Sequence, residues 1–236
     1  MADTSTFAVT LGWAALHARR NFKKKAFKRA VLGLVVLTVA SRWGGSAGQG
    51  TFALGLALPF LALFFGGGVL REEIEDQTLT YAFTRPIGRG RVYVARAVAA
   101  MAPVFALAVP VALMAGLRTD TETGLRYALA AALGVPAYLG FFALLGLFAK
   151  WSTTVGVLFV LFWESLVAQV PGFLGRLTIG AHVRGVAGLT PEGPMAAFVT
   201  LPGTLGATVT LLVVAGVTLS LGALWVQRAE IVLEKT

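Results

Sequence analysis

Most side chains that could do chemistry lie in one polar segment of an otherwise apolar sequence. A run of four carboxylates follows Arg71, and the pair Arg85 and Pro86 comes after it, followed by Gly88 and Gly90. Carboxylates are favourable at a helix N-terminus, and a proline ends a helix. The pattern therefore predicts a short acidic helix in water, followed by a basic turn. The four carboxylates belong to Glu72, Glu73, Glu75 and Asp76.

Two apolar side chains of this segment, Leu79 and Phe83, are four residues apart, so they fall on one side of the predicted helix. No other part of the sequence offers them an evident packing surface. Exposed apolar side chains that lie together often mark a site for a partner protein. The alternative is a solvated loop whose charges only set the membrane topology.

Glu164 is a single carboxylate inside an apolar stretch, a few residues before Pro171. A carboxylate at mid-membrane costs about 2.5–3.5 kcal/mol on insertion scales. Two interpretations remain open for it. Glu164 is either a substrate-pathway, gating or proton-binding residue, or an interfacial carboxylate that bonds to Gln169, Arg176 or loop N–H groups.

The motifs of most enzymes are missing from the sequence. No glycine is followed by lysine, so there is no phosphate-binding G-x-x-x-x-G-K-[ST] loop, and there are no cysteines. The two histidines, His17 and His182, stand far apart and show no metal-ligand spacing. We therefore expect no catalysis by this chain, and no metal or cofactor of its own.

The elements that carry these residues are predicted to be transmembrane helices. Uncharged stretches of 28, 21, 23 and 35 residues separate consecutive charged positions. About 20 apolar residues cross the hydrocarbon as a helix, and these stretches lack the alternation of a membrane strand. The net charge of +9 does not indicate nucleic-acid binding, because the basic residues flank apolar stretches instead of forming one soluble face.

We expect an all-α protein with a single transmembrane domain over residues 1–236 and six spans. The first span, between Arg29 and Arg42, is short and requires its basic ends to snorkel. Residues 1–26 are predicted to form an amphipathic interfacial helix, with a solvated basic tail as the alternative. The connection 171–200 is expected to be external, with a short or re-entrant helix. The other spans are expected at about 51–70, 94–117, 125–149, 153–170 and 201–226.

The distribution of lysine and arginine predicts the orientation. Fifteen of these residues fall on the side of the two termini and the 71–96 segment, and five fall on the other side. Because basic residues favour the cytoplasm, both termini and this segment are predicted to be cytoplasmic. The sequence shows no internal repeat and no pair of broken helices, which argues against an inverted-repeat carrier.

The order of a short apolar span, R-E-E-x-E-x-x-T-L-x-x-x-x-x-R-P-I-x-R and a second span resembles the permease subunits of ABC-2 type ABC transporters. The basic N-terminal helix is similar to the elbow helix of that family. The fifth span is similar to the family's fifth helix, with its acidic residue and Pro-Gly break. The motif residues that match are Glu72, Glu73, Thr78, Leu79, Arg85, Pro86 and Arg89.

The resemblance implies a permease with the architecture of a type V exporter, located in the bacterial cytoplasmic membrane. Two copies of the permease would pair with two ATP-binding subunits on another chain, which would hold ATP and Mg²⁺. Residues 71–91 would contain the coupling helix, with Leu79 and Phe83 as its anchors. The charged residues expected to orient that contact are Glu72, Glu73, Asp76, Arg85 and Arg89.

Three other functions remain open from the sequence. An ABC membrane subunit can do mechanical work on a partner protein without moving a solute, although the short external loops expected here leave little to reach outward. A secondary carrier could run on protons through Glu164. A membrane scaffold without transport is the third.

Overall fold

The computed structural model describes residues 12, 16, 50–69, 88–148, 151–167, 170, 172–189 and 199–228. The predicted first span and nearly all of the predicted interfacial helix lie outside these residues. So do all but one of the residues expected to couple to an ATPase, the exception being Arg89. Those outside are Glu72, Glu73, Asp76, Thr78, Leu79, Phe83, Arg85 and Pro86.

All regular structure within the described residues is helical, as predicted. Three helices, α2, α3 and α7, contain 28, 28 and 25 residues and are long and apolar enough to cross a membrane. They correspond to the third, fourth and sixth predicted spans, and they indicate an integral membrane protein. Helices α1 and α4 lie within the second and fifth predicted spans but are shorter. The helices are α1 (Gly50–Gly66), α2 (Arg89–Gly116), α3 (Thr121–Phe148), α4 (Ser152–Glu164), α5 (Phe173–Arg176), α6 (Ile179–Ala187) and α7 (Thr204–Arg228).

Helix α3 is the centre of the bundle, and α1, α2, α6 and α7 all pack against it. Its side chains Tyr138, Leu139 and Phe142 are fully buried. Helix α2 runs antiparallel to α3, and the two backbones come close where Gly116 meets Gly124. Small residues at such contacts are typical of membrane helices, because they let the backbones approach closely.

One end of the bundle, which we call the Arg89 end, contains the start of α2 and the ends of α3 and α7. There Gly90 lies against Gln227, and the rings of Phe148 and Trp225 are 5.1 Å apart. The opposite end, which we call the Arg126 end, contains the end of α2 and the start of α3. Helices α3 and α7 therefore run parallel to each other and antiparallel to α2.

Helix α1 runs parallel to α3 along most of its length. Gly50 lies against the ring of Tyr127, and Gly67, just beyond the helix, lies against Gly146. Pro59 follows a π-helical turn at Ala53–Ala57. A proline has no N–H to donate and crowds the preceding turn, so a widened turn relieves the strain. Helix α1 thus ends at the Arg89 end, where α2 begins.

Candidate functional site

The candidate site lies beside α3, at the point where α4 stops packing against α3 and α6 begins to do so. Helix α4 packs along α3 from Phe141 to Tyr138, because the ring of Phe159 is 4.5 Å from the ring of Phe141 and the Tyr138 hydroxyl donates a hydrogen bond to Glu164. The last six residues of α4, Phe159–Glu164, form a π-helix. Single π-helical turns occur frequently at functional sites, and this one ends at the only acidic residue of α4.

Helix α6 packs against the next part of α3, toward the Arg126 end. Val183 lies against Gly134, and the residue after the helix, Gly188, lies close to the Arg126 guanidinium. Helices α4 and α6 therefore cover successive parts of α3, and the break between them falls at Glu164. Tyr138 precedes the end of α3 by ten residues, or about 15 Å of helix. The break thus lies well inside the bundle.

Between α4 and α6 the chain passes through the short helix α5 before α6 begins beside Glu164. Gly172 has a φ of 86°, which favours glycine, and the short helix α5 follows it. Nη2 of Arg176 donates a hydrogen bond of 2.7 Å to Oγ1 of Thr200, just before α7. The chain then turns back, so that α6 begins beside Glu164. In residues 172–189, the described part of the connection expected to be external, there are two short helices, and α6 is packed into the bundle.

The Glu164 side chain is 5% exposed and accepts three hydrogen bonds. The Tyr138 hydroxyl donates to Oε2 at 2.8 Å, and the backbone N–H of Gly180 donates to the same oxygen at 2.7 Å. The N–H of Ile179 donates to Oε1 at 3.0 Å. The carboxylate therefore connects α4, α3 and the N-terminus of α6.

The N-terminus of α6 is satisfied by side chains on both sides of the break. Thr178 is the N-cap residue, and its hydroxyl accepts a hydrogen bond of 3.1 Å from the N–H of Ala181. Glu164 accepts hydrogen bonds from the two N–H groups that precede Ala181, those of Ile179 and Gly180. The first N–H groups of a helix lack partners within the helix, and they carry the positive end of its dipole. A buried carboxylate is well matched to that position.

Gly180 allows the carboxylate to come this close. A Cβ atom at this position would lie 2.5 Å from Oε2 of Glu164 and 3.2 Å from the Tyr138 hydroxyl. Both distances are shorter than ordinary van der Waals contacts. Any larger residue would therefore displace the carboxylate or α6.

Arg184 places a positive charge near the same carboxylate. Its Nε donates a hydrogen bond of 3.2 Å to the carbonyl of Gly180, which directs the side chain back toward the start of α6. Its charge interacts electrostatically with Glu164. Nη2 of Arg184 is buried and has no hydrogen-bond partner among the described residues. A carboxylate, a phenol, a helix N-terminus and a guanidinium therefore lie together at the break between α4 and α6.

The partners of Glu164 fit the interfacial interpretation only in part. N–H groups bind the carboxylate, as expected, but they belong to a buried helix and not to a loop at the surface. Arg176 bonds to Thr200 instead, and Gln169 lies outside the described residues. Sequence reasoning missed Tyr138 and Gly180. The polar hydroxyl of Tyr138 within an apolar span was the available signal, since a buried tyrosine hydroxyl usually has a partner.

The remaining predicted residues are placed as follows. Arg89 is exposed at the start of α2. His182 bonds only locally, with Nδ1 at 3.0 Å from the carbonyl of Thr178. Within the described ranges, no group of three or more His, Cys, Asp or Glu residues could hold a metal ion.

Comparison with known proteins gives no further assignment. No protein-family model matches the sequence, and neither does any curated protein. The motif between the second and third predicted spans and the geometry around Glu164 are therefore the observations on which a function can be argued.

Proposed function

We propose that this chain is the transmembrane permease subunit of an ATP-driven ABC-2 type exporter in the bacterial cytoplasmic membrane. The observation that carries the proposal is the acidic motif with its Thr-Leu and Arg-Pro elements, which stands between two apolar helices. The motif ends at Arg89, the first residue of α2. A coupling helix must lie next to a span, and only the predicted turn at Pro86 and Gly88 would separate the proposed one from α2.

The geometry of the helix ends supports the position of this segment. Helix α1 ends at the Arg89 end, and α2 begins there, so the two helix ends that flank residues 70–87 lie on one side of the bundle. Arg89, Arg91 and Arg228 are exposed at this end, whereas Arg118 and Arg126 lie at the other. Over the whole sequence, more lysine and arginine residues fall on this side than on the other, which predicts that the Arg89 end is cytoplasmic. Six spans with both termini in the cytoplasm complete the proposed topology.

The proposed assembly contains two copies of this chain and two copies of an ATP-binding subunit. ATP and Mg²⁺ bind to the partner, because this sequence has no phosphate-binding loop. Closure of the ATPase dimer would move the coupling helix and, through it, the spans. Apolar anchors in a pocket give such a contact its affinity, and surrounding charges give it orientation.

Co-purification with an ATP-binding subunit tests the proposal, and a neighbouring reading frame with a phosphate-binding loop and no spans would be the one to express with this chain. We expect Leu79→Asp or Phe83→Asp to reduce ATPase retention at least tenfold, since burying a carboxylate at an interface costs more than about 1.4 kcal/mol. Gln77→Asp is the matched control. At 100° per residue it lies on the other side of the same helix and should retain the ATPase.

Loss of the ATPase from all three variants alike would contradict the assignment of Leu79 and Phe83. Failure of the unaltered chain to retain any ATPase would contradict the permease proposal as a whole.

A proton-driven carrier is the second candidate, and the broken path at Glu164 favours it. Carriers often place their binding sites at broken helices, and the described residues contain one such break, although not a pair. This candidate requires proton flux into vesicles without ATP, abolished by Glu164→Gln. The permease proposal requires that flux to be absent.

A further inference from the structure

We propose that Glu164 is a releasable latch on α6, and that α6 is the outer gate of the transport pathway. This inference rests on the proposed transport function and specifies how the pathway is closed. Glu164 acts here as a positioning residue, because it holds a helix and does not contact the transported solute.

The first support is the position of α6 inside the bundle. Seven of its nine residues are buried. It packs against α3, α7 and the π-helical turn of α1. A nine-residue helix is about 14 Å long, which is far too short to cross a bilayer. Helix α6 therefore fills the interior from the Arg126 end down to Tyr138, and its departure would open that space to the outside.

The second support is the way α6 is attached. Four of its seven buried residues are glycine or alanine, which bury little apolar area each, and the larger apolar contacts come from Ile179, Val183 and Val186. The hydrogen bonds that join its backbone to α4 are the two that Glu164 accepts from Ile179 and Gly180. A substantial part of the attachment is thus concentrated in one carboxylate at one end of the helix.

The third support is the backbone on either side of α6. Gly188 ends the helix with a φ of 68°, and Gly172 has a φ of 86° before α5. Among the described residues, a Cβ atom at Gly172 would meet no atom within 4 Å. Movements of whole elements usually occur through a few loop or helix-end residues of this kind.

The latch connects the two sides of the membrane. Helix α4 begins at Ser152, near the Arg89 end, and it carries the carboxylate at its far end. A displacement of α4 at the cytoplasmic side therefore withdraws Glu164 from α6. Two buried N–H groups then lose their acceptor, and the buried position of α6 becomes unfavourable. ATP-driven motion on one side is in this way converted into opening on the other.

The absence of cysteine from the sequence makes the gate directly measurable. Val183 on α6 is fully buried, so a Val183→Cys probe should react slowly with a membrane-impermeant maleimide in nanodiscs. Adding Glu164→Gln removes a carboxylate oxygen and places an amide donor against the N–H groups. We expect the reaction rate of the Val183→Cys probe to rise at least about tenfold, the effect of losing one hydrogen bond to a charged group.

Two controls separate the latch from general loosening of the fold. Val226→Cys on α7 is equally buried but lies at the Arg89 end, outside the space that α6 fills, and should keep its slow rate when combined with Glu164→Gln. Glu122→Gln changes an exposed carboxylate at the Arg126 end and should leave the Val183→Cys probe slow. An unchanged rate at Val183→Cys with Glu164→Gln, or an equal rise at Val226→Cys, would overturn the proposal.

This assay needs neither ATP nor a partner chain. If no ATPase associates with the protein while the Val183→Cys probe still responds to Glu164→Gln, the permease proposal fails and the latch remains. If the ATPase associates but the probe does not respond, the latch fails alone.

Discussion

At the scale of single residues, the close contact between Gly180 and Glu164 constrains the candidate site. The Tyr138 hydroxyl and the Gly180 N–H both lie within hydrogen-bond distance of the same oxygen of the Glu164 carboxylate. Burying a carboxylate is unfavourable unless its oxygens are bonded, and here three donors surround them. A substitution that moves one of these three groups should therefore weaken the hydrogen bonds of the others.

Gly180→Ala should destabilise the protein, because the new methyl group would overlap Oε2 of Glu164. We expect a loss of about 1–3 kcal/mol, typical of a buried polar group that loses its partner. The measurement is unfolding by denaturant in mixed micelles. Gly216→Ala on α7 is the control, since a Cβ atom there would meet nothing within 4 Å. Equal losses in the two variants would show that the close approach at Gly180 has no energetic role.

At the scale of elements, the long helices follow directly from the sequence. Helices α2, α3 and α7 were predicted at 94–117, 125–149 and 201–226, and they extend over Arg89–Gly116, Thr121–Phe148 and Thr204–Arg228. Continuous apolar stretches identify helices of this length. Two of them begin earlier than predicted, because charged and polar residues in the headgroup region do not end a helix.

The break between α4 and α6 could not be predicted in the same way. Apolar content shows that a segment is buried, but not whether its helix is continuous. The break depends on Tyr138 and Glu164, which are 26 residues apart in the sequence. The sequence did indicate a carboxylate near a Pro-Gly element, and in the sequence that element lies between Glu164 and the start of α6.

The start of α3 gives a prediction about pH. Hydrogen bonds from the N–H and hydroxyl of Thr123 hold the pKa of Asp120 below its usual value, against the opposing effect of desolvation. The N–H of Glu122 and the charge of Arg126 lower the pKa by smaller amounts. A lowered pKa in the folded state means that ionised Asp120 stabilises the helix above the pKa of the unfolded chain. This contribution is lost as pH falls through the lower, folded value.

Asp120→Ala should therefore lower the melting temperature at neutral pH, because it removes the helix cap. The difference from the unaltered chain should shrink once the pH falls below about 3, where most aspartates are protonated. Asp120→Asn keeps an acceptor oxygen and should have the smaller effect at neutral pH. Circular dichroism melting curves in detergent at the two pH values provide the measurement. A difference for Asp120→Ala that persists undiminished in acid would contradict this role.

At the scale of the whole molecule, the bundle has two chemically distinct ends. The described helix ends at the Arg89 end flank residues 70–87, which carry the acidic motif in the sequence. Helix α6 lies toward the Arg126 end, and its contact with Glu164 lies inside the bundle. The proposed permease would need this division, with a partner surface on one side and a gate toward the other.

The central claim is that residues 71–91 contact an ATPase in the cytoplasm, and site-specific labelling tests it most directly. In inside-out membrane vesicles, an Ala82→Cys probe, next to the expected anchor Phe83, should react with an impermeant maleimide, and the bound ATPase should slow that reaction. A Thr119→Cys probe, exposed between α2 and α3, should react only in right-side-out vesicles. Reaction of both probes from the same side, or no protection of Ala82→Cys by the ATPase, would contradict the account.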